Sequence, residues 1–217
     1  MIKITILSLS LLLFSACSFK YPPNQWQYKS TTAFDSYTKN FLSANGSLAK
    51  NDLSRAIKHA KQSADLKMLA RIYLGECALN ISVGIDDGCQ DYLNIADVVN
   101  DNSLEAYYSF ITLKPKYSVK NLNSQYKDFA SLVKNKDFSK ANSEILKIQK
   151  PTSKLLAASL IKDKLTQQTR YEMINSASFY GYKKSVLFWL SEAKINTTDE
   201  DERKKLSKKI SILKSGD

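Results

Sequence analysis

Apolar residues return every three or four positions along this chain, and that spacing leaves room for little but helices. Ala33, Tyr37, Phe41 and Ala44 step by four, four and three, one face of a 3.6-residue period. Leu53, Ala56, Ile57, Ala60 and Ala64 form a second such face. Leu66, Leu69, Ala70, Tyr73, Leu74, Cys77 and Ala78 form a third, wide enough to be covered on several sides and therefore central. Tyr92, Leu93, Ala96 and Val99 mark a fourth helix, and Leu104 to Leu113 a fifth that stops at Lys114-Pro115. Beyond Asn121 the same stepping resumes: Leu122, Tyr126, Phe129 and Val133, then Phe138, Ala141, Ile145 and Ile148. It continues through Leu155 and Leu160, Tyr171 to Ala177, Val186 to Ala193, and Leu206 to Leu213. No run alternates Val, Ile, Thr and aromatics between hairpin turns, so no strand is expected. Only 6 Gly and 4 Pro punctuate the 217 residues, which favours helices with short connections. The sequence therefore predicts an all-α fold of about 9–11 helices.

Boundaries follow from caps and breakers. The first helix is expected over Thr31 to Ala44, ended by Gly46. The second is expected over Asp52 to Ala64, capped by Asn51 or Asp52. Ser82 to Gly88 reads as a loop. Thr198-Asp199-Glu200-Asp201-Glu202 opens the last helix with acids, and lysines follow. That order complements the helix dipole, so the acidic run needs no metal to explain it.

Residues 1–17 stand apart. Lys3 is followed by an apolar stretch to Phe14, of about 11 residues, too short to span a bilayer. Leu13-Phe14-Ser15-Ala16-Cys17 resembles the lipobox of bacterial lipoproteins, with small residues at the two positions before a cysteine. The resemblance implies cleavage after Ala16, covalent lipid on Cys17 and export of everything beyond it. Phe14 stands where an aliphatic residue is more usual. Ser18, and not Asp, follows the cysteine, which by resemblance to Gram-negative lipoproteins implies sorting to the outer membrane, lipid-anchored and facing the periplasm. The alternative is a plain leader cut near Ala16. The expected organisation is a leader (1–16), a lipidated tether (17–29, carrying Pro22-Pro23) and a helical domain (30–217), with possible halves at 30–116 and 117–217.

Two stretches of the helical domain echo each other. Lys50-Asn51-Asp52-Leu53-Ser54-Arg55-Ala56 matches Lys134-Asn135-Lys136-Asp137-Phe138-Ser139-Lys140-Ala141 with one residue inserted. Ala177 to Val186 has the same helix–turn–helix character around Gly181. These resemble the tight turn of a tetratricopeptide-type hairpin, which implies an antiparallel helix-hairpin solenoid binding other proteins in its concave face. The repeats are degenerate: the intervals are 85 and 45 residues, neither a multiple of about 34. A Sel1-like array and an irregular bundle remain alternatives.

If Cys17 carries lipid, Cys77 and Cys89 are left as an even pair outside the cytoplasm, where disulfides form. Each lies six residues from Val83, so they face each other across a presumed turn. A metal site would need more ligands, and the one histidine, His59, sits among lysines on a helix. Asp86-Asp87-Gly88 lacks the later ligands of a calcium loop and reads as a loop and cap. Glu76 and Glu105 are acids without a supporting motif. No metal, no cofactor beyond the lipid and no catalytic set is expected. Net charge is +11, and the lysines of the basic second half read first as solvated helix faces, with anionic lipid, cell-wall polymer or an acidic partner surface as the alternative; nucleic acid is not expected outside the cell. The aromatic turn Phe179-Tyr180-Gly181-Tyr182, with Phe188-Trp189, reads as core; its alternative is a partner surface made by Tyr180, Tyr182, Lys183 and Lys184. The function expected is a scaffold for envelope proteins, with a machine such as outer-membrane assembly or the flagellar motor as its finer setting; a cell-wall enzyme or a surface adhesin is the alternative.

Overall fold

The computed structural model describes residues 24–215, which form twelve α-helices and no strand. In chain order they are α1 (Gln25–Leu42), α2 (Gly46–Ala60), α3 (Lys67–Ser82), α4 (Gln90–Leu93), α5 (Ala96–Val99) and α6 (Asn102–Ile111). Then come α7 (Ser124–Lys134), α8 (Phe138–Lys147), α9 (Pro151–Leu160), α10 (Gln167–Phe179), α11 (Lys183–Asn196) and α12 (Glu200–Lys214). Short 3-10 turns sit at Val119–Asn121 and Lys162–Lys164. No described helix is long and apolar enough to cross a membrane. The leader, Cys17 and the tether up to Pro23 lie outside the described residues. The all-α reading holds. The count rises by one because the expected fourth helix is two four-residue pieces, broken where Ile95 takes φ −127° and ψ 0°.

Helix boundaries shift where the turn chemistry was misread. The first helix starts at Gln25, not near residue 30, so Trp26 and Tyr28 belong to it and the last five residues of the expected tether are helical. Gly46 opens α2 instead of closing α1. Asp52 is not a cap: it lies buried within α2, accepting from Asn40 Nδ2 at 2.7 Å and from Arg55.

The helix hairpins share one turn. In α1–α2, α7–α8 and α10–α11 the helix runs into a left-handed residue: Ala44 at φ 68°, Lys136 at φ 59° and Gly181 at φ 66°. The next residue follows at nearly constant angles: Asn45 (−83°, 68°), Asp137 (−83°, 70°) and Tyr182 (−81°, 70°). Each makes the same pair of bonds. Asn45 N donates to Asn40 O, Asp137 N to Leu132 O and Tyr182 N to Ala177 O, all five residues back, while the preceding N–H reaches three back. This is a Schellman termination, which satisfies two of the four free carbonyls of a helix end. Gly84 and Leu113 end α3 and α6 in the same way. The shared turn does not fall where the two echoing stretches of sequence would place it. The structural equivalent of Asp137 is Asn45, seven residues before Asp52. The Lys50–Ala56 stretch lies inside α2 and makes no turn.

The core is built around α3, as its wide apolar face implied. Leu69, Ala70, Ile72, Leu74, Cys77, Ala78 and Leu79 are all buried, and α3 meets α1, α2, α4, α5, α6 and α9. Helices distant in the chain also touch, α3 with α9 and α1 with α11, closing the hairpins around a common centre. Small residues let α1 and α2 approach closely: Ala33, Ala49, Ala56 and Ala60 are buried, and Ser30 Oγ donates to the Ala56 carbonyl at 2.8 Å. In the last third Trp189 is fully buried, together with Met173, Ala177 and Leu190. Buried Arg170 donates to the carbonyls of Leu165 and Lys162, tying down the turn before α10. The last helix is capped as expected, Asp199 accepting from the N–H groups of Asp201 and Glu202. Glu202 goes further: it accepts from the Tyr171 and Thr197 hydroxyls and so fastens α12 to α10.

Candidate functional site

Phe34 on α1 and Gly75 on α3 make the floor of a broad cleft, and the sequence explains why. A Cβ at position 75 would sit 2.4 Å from the Phe34 ring. Gly75 weakens a helix interior by about 1 kcal/mol relative to Ala, yet without it the ring would have to move. The cleft encloses about 610 Å³, within the usual range for ligand sites. Its apolar floor continues through Leu79, Tyr107, Tyr126, Leu156 and Tyr182. Its rim is polar: Ser36, Asp35 and Lys39 from α1, Gln125 at the start of α7, and Lys150, Thr152 and Ser153 at the start of α9.

The phenols in the floor are hydrogen-bonding groups and not bases. Burial pushes Tyr107 well above its ordinary range, and its contact with Tyr126 adds to this. Burial raises Tyr126 to about 12, held back by hydrogen bonds with Ser153 and Tyr107. Both stay neutral at any working pH. Helix α9 begins with Pro151 at its first position and no side-chain cap, so N–H groups of its first turn are free to face an acceptor. Hydroxyls, neutral phenols, free amides and two lysines suit the backbone and polar side chains of a peptide.

The expected partner surface divides between this cleft and a neighbouring shelf. Tyr182 is buried and lines the cleft. Tyr180 is half-exposed, stacks on Tyr182 at 5.5 Å, and faces a second hollow of about 310 Å³ with Phe179, Leu146 and Lys154. Phe179, read as core, is 83% exposed; Trp189, also read as core, is fully buried. Lys184 is held inward, its ammonium 3.8 Å from the Phe41 ring centre, and burial lowers its pKa. Lys183 is half-buried at the start of α11.

Cys77 and Cys89 form a disulfide with Cα atoms 5.2 Å apart. Cys89 holds a left-handed backbone at φ 54° just before α4. Asp87 fixes the approach, accepting from Cys89 N at 2.9 Å and from Asn80 Nδ2 at 2.7 Å, while Asp86 accepts from Gly88 N. Asp86 and Asp87 thus shape the loop as expected but cap no helix: Cys89 is the N-cap residue of α4, which has no side-chain cap. Ligating atoms of Cys77, Asp87 and Cys89 lie within 4.8 Å of one another, but the two sulfurs are bonded to each other.

Beside the disulfide is a small hollow of about 130 Å³ lined by Tyr73, Glu76, Asp87 and Asp91. Glu76 is half-buried, and its pKa is pushed up to about 7, first by burial and then by the charges of Asp91 and Asp87. Glu105 is exposed in the first turn of α6. His59 sits on α2 away from the cleft, with Nδ1 buried and without a partner. The cleft itself was not foreseen. Its walls come from segments up to 150 residues apart, and no motif marks them.

No protein-family model matches the chain, and no curated protein or solved structure does either.

Proposed function

We propose that this protein is a lipoprotein, anchored by lipid on Cys17 to the periplasmic face of the outer membrane, whose helical domain holds other envelope proteins. The single observation that carries the binding half of this reading is the 610 Å³ cleft with an aromatic floor and a hydroxyl- and amide-rich rim. Such a surface recognises a polypeptide by shape and backbone hydrogen bonds. The tetratricopeptide-type likeness belongs to the same proposal, supported by three hairpins that share one turn. The anchor rests on the Leu13–Cys17 motif.

The test places a photo-crosslinking side chain at Thr152 in the cleft, and at Lys58 on the outer side of α2 as a control, in living cells. The expected result is a discrete envelope-protein adduct from Thr152 and none from Lys58. No adduct from the cleft, or equal adducts from both, refutes the scaffold. Intact mass of the membrane-extracted chain tests the anchor separately.

A second reading, an enzyme acting on cell-wall polymer, has Glu76 in its favour, an acid with a pKa near 7. Its hollow of about 130 Å³ is smaller than the roughly 300 Å³ at which ligand pockets usually begin. Glycan release from purified sacculi, lost in Glu76→Gln, would establish that reading over the first.

A further inference from the structure

The charge of this chain is segregated more sharply than its total suggests. The 42 residues from 72 to 113 contain seven carboxylates, from Glu76 to Glu105, and no lysine, arginine or histidine. Everything else in a chain of net charge +11 is basic on balance. Within that segment Asp101 has a lysine partner, Lys67 at 3.5 Å. Glu76 already registers the crowding, since Asp91 and Asp87 both raise its pKa.

At the edge of this acidic segment lies a groove of about 490 Å³. The C-terminal ends of α3, α6 and α9 converge on it, bringing the partial negative charge of their terminal carbonyls. Ile111 and Leu160 lie buried in it, and Ile85 and Leu113 stand 44% and 45% exposed at its rim. Leu113 holds φ 51° there, a left-handed conformation that costs a side-chain-bearing residue roughly 1–2 kcal/mol. Asp86 and Asp163 add two carboxylates. The nearby cations are engaged: Lys162 lies 3.1 Å from Asp163 and 3.9 Å from Glu192, and Lys114 sits over the Tyr108 ring at 4.4 Å.

We propose that this groove is a docking site for a cationic amphipathic segment of another protein, a helix carrying aliphatic side chains on one face and Lys or Arg beside them. Charge complementarity selects the occupant. An anionic membrane or an acidic peptide meets repulsion from the carboxylates and helix C-termini, whereas a basic helix satisfies both and covers the exposed aliphatics. The inference rests on the adaptor reading above only in taking the partner to be a protein. It uses a different surface from the central cleft.

The experiment titrates the full-length protein, in an uncharged detergent, into three fluorescent 18-residue peptides. One is a Lys–Leu amphipathic helix. The second has the same composition scrambled to scatter the leucines. The third carries Glu in place of Lys. Binding by the first alone is expected, weakening at least tenfold in Ile85→Gln/Asp86→Lys and, independently, in Leu113→Gln. Both variants change exposed side chains, and circular dichroism checks that they remain helical. Thr152→Trp, which fills the central cleft, should leave the affinity unchanged, so failure of the cleft reading and failure of this one are distinct. Equal binding of the scrambled peptide, binding of the Glu peptide, or indifference to both groove variants overturns the proposal. So does a salt-sensitive oligomer abolished by the same variants, which would make the occupant a second copy of this chain.

Discussion

Residues 72–113 and residues 151–214 are both helical, yet they are held together by different means. The first region contains most of the central helix α3 and all of α6, but the segment between them is short-jointed, with two helices of four residues, a seven-residue loop and a disulfide. It has no cation of its own. The second has no such short-jointed stretch: α10, α11 and α12, of 13, 14 and 15 residues, wrap around fully buried Trp189 and Met173 and are rich in lysine. Where helices are long enough to bury continuous apolar stripes, packing alone fixes them. Where they are a single turn long and carry like charges, a covalent link does what packing cannot. The acidic region thus keeps a charge density that would otherwise favour opening it.

Four measurements would break or sharpen this contrast. The largest effect is expected in the packed region: Trp189→Ala should cost about 3–5 kcal/mol, read as a lowered denaturant midpoint. A loss below 1 kcal/mol would show that the region is not held by its core. Next, Cys77→Ser/Cys89→Ser should cost roughly 3 kcal/mol, the entropy of closing a loop of this size. Hydrogen exchange should then rise in α4 and α5 and stay low in α10 and α11; uniform loosening would contradict the division.

Third is the pH response of the acidic region. Glu76 has a folded pKa of about 7, above the 4.5 of the free side chain. The folded state therefore binds the proton more tightly. Stability should rise as pH falls from about 7 toward 4.5, level off below, and lack this contribution above 7. For a half-buried group screened by solvent the gain is roughly 1 kcal/mol. Glu76→Gln should supply it at neutral pH and flatten the profile, checked by thermal melts across that window. The smallest effect is at the shared turn. Lys136→Gly and Leu113→Gly should each stabilise by about 0.5 kcal/mol, relief of left-handed strain less the added freedom of the unfolded chain. Destabilisation in either would mean that the side chain makes a contact worth more than the strain.

Much of the fold was legible because periodicity reports burial directly. The stripe from Leu66 to Ala78 announced a central helix, and α3 is central. The symmetry of Cys77 and Cys89 about Val83 announced their bond. Asp199 to Glu202 announced a capped start. The turns were harder. Ala44, Lys136 and Leu113 occupy positions where sequence reasoning looks for glycine, while Gly46, the residue that looked like a stop, begins a helix. The site was least legible. Its cleft joins Ser36, Gly75, Gln125 and Thr152, which only long-range packing brings together. Of the expected partner surface, Tyr180 and Tyr182 were separated into two hollows by the turn between them, which a string of aromatics does not encode.

The recurring turn carries a wider lesson about what ends a helix. Its shape is written in two main-chain hydrogen bonds, and both form whether the residue at its pivot is Ala, Gly, Leu or Lys. The backbone grammar survives a change of letter. A likeness among these hairpins is therefore read more readily from main-chain bonds than from amino acids.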